Sequence, residues 1–205
     1  MHFVAYLKTF IYLVSSSLFY PVLLILALMV VGMIVYSGGF FAEWLHRARL
    51  PEYDDRELPD LLDDPDRRKS VMAAPARAYE EQLAHMLDNG NAEPIRVENV
   101  LQTHTSNIEK ALDHLMLLVR VAPGCGLIGT LIPMGTGLAA LGQGDMSTLT
   151  SDLVIAFTTT VVGLGVGLLA FFFYTIKRRW VEDDIRKMEL LTEIMAGKGG
   201  KGAAS

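Results

Sequence analysis

The sequence predicts an all-α, multi-pass membrane protein with three transmembrane helices and long helical extensions outside the bilayer. Three observations lead there. Hydrophobic residues make up 51% of the 205-residue chain, and its mean hydropathy of +0.33 is too high for an ordinary soluble domain. The apolar residues gather in three blocks, 9–42, 121–142 and 149–176, each long enough to cross a hydrocarbon core of about 30 Å as a helix. Residues 43–120 and 177–205 hold nearly all the charge.

The first block carries no charged residue, and its strongest part is 18–41. Lys8 supplies one positive charge ahead of a run that is too long, with no small-residue cleavage pattern, so a secretory signal is not expected. Tyr6, Tyr12, Phe19 and Tyr20 suit an interfacial segment leading to the bilayer. Pro21 then opens the span proper, where a missing N–H is tolerated. One long tilted helix from about Tyr6 to Phe41 accounts for the same residues.

Basic residues set the orientation. Arg47 and Arg49 follow the first block, Arg120 precedes the second, and Lys177, Arg178 and Arg179 follow the third, while the turn 143–148 carries none. The positive-inside rule puts 43–119 and the tail in the cytoplasm, with the N-terminus and the turn outside the cytoplasmic (inner) membrane. The organisation is then an interfacial segment with the first span (1–42), a cytoplasmic helical segment with an acidic loop (43–120), a two-span hairpin (121–176), and a cytoplasmic helix with a flexible tail (177–205).

Within 43–120, the stretch 51–69 holds three prolines among Asp54, Asp55, Glu57, Asp60, Asp63, Asp64 and Asp66, and is expected to be irregular and solvated. Residues 76–87 predict a helix ended by Asn89-Gly90. A further helix starts near Pro94, with Leu101, Ile108, Leu112, Leu115 and Val119 at helical spacing, and continues into the second span. Val181, Ile185, Met188, Leu191 and Met195 form an apolar stripe beyond the third span, and 197–205 reads as a flexible end.

The two later spans each show one small or polar face. Ala122, Gly126, Thr130, Pro133 and Gly137 recur at steps of three and four, as do Ala156, Thr160, Gly163, Gly167 and Ala170. Such faces allow close helix approach in lipid, where packing replaces the hydrophobic drive. Gly126, Pro133, Gly137, Ala156, Gly163 and Gly167 are the expected packing residues, with threonine hydroxyls free to bond back to their own helix. Pro133 predicts a kink. Asp152, the only acid in the two spans, reads as a helix-start residue stabilised by the dipole, with a proton entry point as the alternative.

The other chemistry-bearing residues read as structural. Cys125 is a small packing residue, and His104 and His114 face solvent among polar neighbours. No Walker element, nucleophile triad or zinc spacing occurs, so catalysis, a metal or a cofactor is not expected. No basic stripe points to nucleic acid.

The segment Gly126-Leu127-Ile128-Gly129-Thr130, followed by Ala156 to Leu164 with Thr160 and Gly163 at matching positions, resembles the MotA/TolQ/ExbB proton-channel family. The likeness is best over 115–180 and closer to the three-span TolQ/ExbB type, with Pro133 as a departure. It implies a homo-oligomer, a pentamer, around a dimer of a single-span subunit resembling ExbD, TolR or MotB and bearing a membrane Asp. Thr130 and Thr160, with Thr159 as a third, would then face that Asp. Their hydroxyls donate and accept hydrogen bonds without titrating. The lack of further polar side chains deep in the spans favours H⁺ over Na⁺. A structural scaffold without ion conduction is the alternative. A small secondary transporter is disfavoured, since neither an inverted repeat nor an intramembrane charged site is visible.

Overall fold

A computed structural model describes residues 2–49, 57–88 and 93–202, and all regular structure among them is helical. The order is α1 (His2–Arg47), α2 (Leu58–Asp63), α3 (Pro65–Val71), α4 (Ala74–Asp88), α5 (Pro94–Leu141) and α6 (Met146–Gly202). Helices α1, α5 and α6 each contain a stretch long and apolar enough to cross a bilayer, with hydropathies of 2.8, 1.9 and 2.2. The chain is an all-α membrane protein.

Two expectations need correction, and one alternative is decided: Pro21 lies inside α1, which is the single long helix of the second reading. Its missing N–H removes one backbone bond from a 46-residue helix, too small a loss to end it. The acidic stretch is not irregular over its described part, since α2 and α3 form there. Pro59 sits in the first turn of α2 and Pro65 opens α3, positions where proline starts a helix instead of breaking one. Leu58 and Leu62 are fully buried, and that apolar anchor outweighs the acids. Residues 51–56, and the Asn89-Gly90 stop signal, lie outside the described residues. Finally, α6 runs on to Gly202, because extending an existing helix closes one more backbone bond per residue.

The chain forms two compact units, one of Met1–Gly39 with His114–Phe173, the other of Phe40–Asp113 with Tyr174–Ser205. In the first, Val22 and Leu26 of α1 pack with Cys125 of α5, flanked by Met29, Val121 and Val162. Tyr36 and Phe173 meet with ring centroids 6.0 Å apart.

The second unit has a conventional core of Leu58, Leu62, Val71, Met72, Ala76, Tyr79, Leu83, Val97, Met188 and Leu191. Its buried polar groups are satisfied in pairs. Arg68 donates to the Leu62 carbonyl at 2.8 Å and to Glu80 at 3.2 Å. Lys187 donates to the Val71 carbonyl at 3.0 Å, closing the α3–α4 junction onto α6. Tyr79 donates to Thr192, 2.6 Å away, whose hydroxyl donates to the Met188 carbonyl. Burial pushes the Tyr79 phenol up, and the Thr192 contact opposes it. His104 is only half exposed, its Nε2 2.7 Å from Gln82 and its ring edge-on to Tyr79. It packs against Tyr79 while staying partly open to solvent.

Candidate functional site

Helices α5 and α6 form an antiparallel hairpin closed by a tight turn. Gly144 takes a φ of +81°, a left-handed conformation suited to glycine, and the Asp145 N–H returns to the Ala140 carbonyl at 3.0 Å. Asp145 then caps α6. One carboxylate oxygen accepts the N–H groups of Ser147 and Thr148 at 3.1 Å, and the other accepts the Thr148 hydroxyl. The Thr148 hydroxyl, then the backbone bonds, hold the Asp145 carboxyl below its usual range. The cap is therefore Asp145, and Asp152 lies in the second turn of α6.

Along the hairpin the helices touch backbone to backbone. A Cβ built on Gly163 would stand 2.7 Å from both the Ala122 carbonyl oxygen and the Gly126 Cα. One on Gly126 would meet the Gly163 Cα and the Thr159 carbonyl at 3.1 Å, and one on Gly167 the Pro123 ring at 2.8 Å. Real Cβ atoms essentially never come within 3.0 Å, so at Gly163 and Gly167 the helix separation depends on glycine, while at Gly126 the neighbour would have to give by a few tenths of an ångström. Ala122 and Ala156 are buried beside them. Pro133 is buried inside an unbroken α5.

The three threonines are placed differently. Thr159 is buried, packed into the space that Gly129 leaves open, and donates to the Ala156 carbonyl at 2.9 Å. Thr130 and Thr160 are half-buried and donate to the Leu127 and Ala156 carbonyls, at 2.7 and 3.3 Å. Because Gly129 faces Thr159 in an antiparallel pair, Thr130 and Thr160 each lie one residue from that contact, on opposite sides of it. Nearer the turn, Thr136 donates to Asp152 at 2.6 Å. Sequence reasoning passed over Thr136, although it lies one helical turn beyond Pro133. Deeper than Asp152, residues 153–176 of α6 hold no Asp, Glu, Lys, Arg or His, and neither do 121–141 of α5.

A second polar cluster lies in the other unit. Arg47 donates through both terminal nitrogens to Asp184, which is fully buried, and through Nε to Glu43 at 3.3 Å. Lys177 reaches Glu43 at 3.1 Å. The guanidinium lies 5.0 Å over Trp180, itself stacked on Phe40. Partners 137 residues apart leave no local sequence signal. Among the described residues no cluster of His, Cys, Asp and Glu could hold a metal ion.

Residues 69–190 match the profile of the MotA/TolQ/ExbB proton channel family, more than half of the chain. The chain belongs to this family. It is a transport and energiser family, not one of enzymes. The match takes in all of α4, α5 and the hairpin, and leaves α1 and α2 outside. A protein of Methanothermobacter thermautotrophicus described as "Putative biopolymer transport protein ExbB homolog" is 31% identical over 99 residues. That alignment covers 48% of this chain but only 36% of the relative, so the chain spans about a third of that protein's length. No solved structure matches.

Proposed function

We propose that this chain is the multi-span subunit of a proton-conducting stator in the cytoplasmic (inner) membrane, with its N-terminus outside and its C-terminus in the cytoplasm. It couples the proton motive force to mechanical work through a single-span partner resembling ExbD, TolR or MotB. Five copies surround a dimer of that partner.

One observation supports the reading: Thr130 and Thr160 lie half-buried, one residue to either side of the Gly129–Thr159 contact, in a hairpin that has no acid or base of its own at that depth. A proton path through a bilayer needs a titratable group, and such groups are costly unless functional. Here the partner's Asp supplies it. The two hydroxyls, each able to donate and accept, hold that carboxyl in either protonation state or order water beside it. Thr159, sealed against Gly129, sets the spacing of the helices behind them. Each charge crossing delivers about 2.3 kcal/mol per 100 mV of membrane potential.

Two measurements test this. Native mass spectrometry of the complex from its host membrane should find five copies of this chain with two of a single-span protein carrying an acid early in its helix. A homo-oligomer lacking such a protein would mean a scaffold instead. Replacing both hydroxyls, Thr130→Val with Thr160→Val, should abolish proton-driven function while the oligomer stays intact, and retained function would remove the threonines from the path.

A further inference from the structure

Helices α1, α5 and α6 border a half-open cavity of about 270 Å³, lined by Phe19, Tyr20, Ile132, Pro133, Thr136 and Asp152. Asp152, the only acid in the two hairpin spans, is half-buried there. A half-buried carboxylate on a membrane-spanning helix is costly and is normally paired. The described contact is a neutral one, from Thr136.

The geometry of that contact is specific. The Thr136 hydroxyl has one proton and two acceptors within reach, the Asp152 Oδ2 at 2.6 Å and the Pro133 carbonyl at 3.0 Å. When Asp152 is ionised, the hydroxyl donates to the carboxylate. When Asp152 is protonated, the hydroxyl donates to the Pro133 carbonyl and accepts a hydrogen bond from the carboxyl O–H instead. Both states are satisfied by rotating one hydroxyl. Gly137 makes the approach possible, since a Cβ there would stand 3.3 Å from the Asp152 Cβ.

We infer that Asp152, Thr136 and the Pro133 carbonyl form a proton-holding station on this chain, loaded from the cavity at the turn side of the membrane. The inference rests on the proton-channel reading above. A proton passes from a hydronium ion in the cavity to the Asp152 Oδ2 as the Thr136 hydroxyl turns to the Pro133 carbonyl, leaving water. It departs the same way to water on the path, and no other bond changes. Tyr20 is the other titratable side chain lining the cavity. A merely structural Asp152 would be replaced well by Asn, which keeps the shape and an acceptor but cannot exchange a proton.

The test uses the complex purified with its partner and reconstituted in vesicles, with proton flux followed by an internal pH dye under an imposed potential. Asp152→Asn should lose most of the flux while the oligomer mass is unchanged, and Asp152→Glu should restore part of it. Thr136→Val should lower the flux and move the external pH of half-maximal flux, whereas Tyr20→Phe should do neither. Wild-type flux from Asp152→Asn at every external pH would overturn the station and leave the channel standing. If Asp152→Asn fails to assemble, Thr136→Val decides, and an unshifted pH of half-maximal flux overturns the inference. No flux from the wild-type complex would remove the channel reading itself, a result distinct from either.

Discussion

Between α5 and α6 the helices meet on atoms that glycine leaves uncovered, whereas in the second unit α1 and α6 meet through ions. At the hairpin, Gly163 lies against the Ala122 carbonyl and the Gly126 Cα. In the second unit, Arg47 grips a fully buried Asp184 and lies over Trp180. The difference follows from the surroundings. Lipid offers helices no hydrophobic reward for meeting, so the hairpin relies on close van der Waals approach and interhelical polar contacts are few. The second unit has an apolar core, and a charge pair can be buried in it as long as every partner is kept.

The contrast breaks most readily at the ion pair. Asp184→Ala leaves the Arg47 guanidinium without its main partner in a closed site, and should destabilise the second unit by about 3–5 kcal/mol. Thermal unfolding or limited proteolysis would read this. The double variant Arg47→Met with Asp184→Leu should recover much of the loss, because it leaves no orphaned charge. A double variant as unstable as the single one would show that the pair does more than satisfy itself.

Gly163→Ala comes next. Alanine favours a helix by about 1 kcal/mol over glycine. Here the added methyl meets backbone that cannot move aside, an overpacking cost of about 1–3 kcal/mol. The net effect should be a less stable hairpin. Gly165→Ala is the matched control, since a Cβ there meets nothing within 4 Å, and it should be neutral or slightly stabilising in the isolated chain. A loss confined to the assembled complex would instead mark a contact with another chain.

Asp145→Ala should have the smallest effect, a slight fraying of the first turn of α6 visible by hydrogen exchange at Ser147 and Thr148. Its pH dependence has a definite sign. The folded carboxyl lies below the ordinary value of 3.8. The cap therefore stabilises above that value and loses its contribution as pH falls through the folded pKa. An unchanged exchange rate on acidification would show that the hydroxyl and backbone bonds do not hold the turn.

The three spans were legible because each is a long apolar run, and the small faces because steps of three and four place residues on one side of a helix. The helices α2 and α3 were missed for a local reason. Their leucines are few among many acids, and proline at a helix start looks in sequence like proline that breaks one. The pairs Arg47–Asp184 and Thr136–Asp152 were missed for a non-local one, since only folding brings them together. The fit of Thr159 against Gly129 is of the same kind. Spacing placed both residues on the hairpin but could not distinguish a hydroxyl packed between helices from one left half-exposed.

The wide separation of Arg47 and Asp184 also bears on how the chain is made. At synthesis rates of about 5–20 residues per second, roughly 7–27 s pass between the two residues leaving the peptidyl-transferase centre. Throughout that interval the arginine near the end of α1 has been made and its main acceptor has not. A chain truncated before α6 keeps that defect for good. The last helix thus signs off the first, and an unfinished copy carries a lasting mark by which membrane quality control could tell it from a finished one.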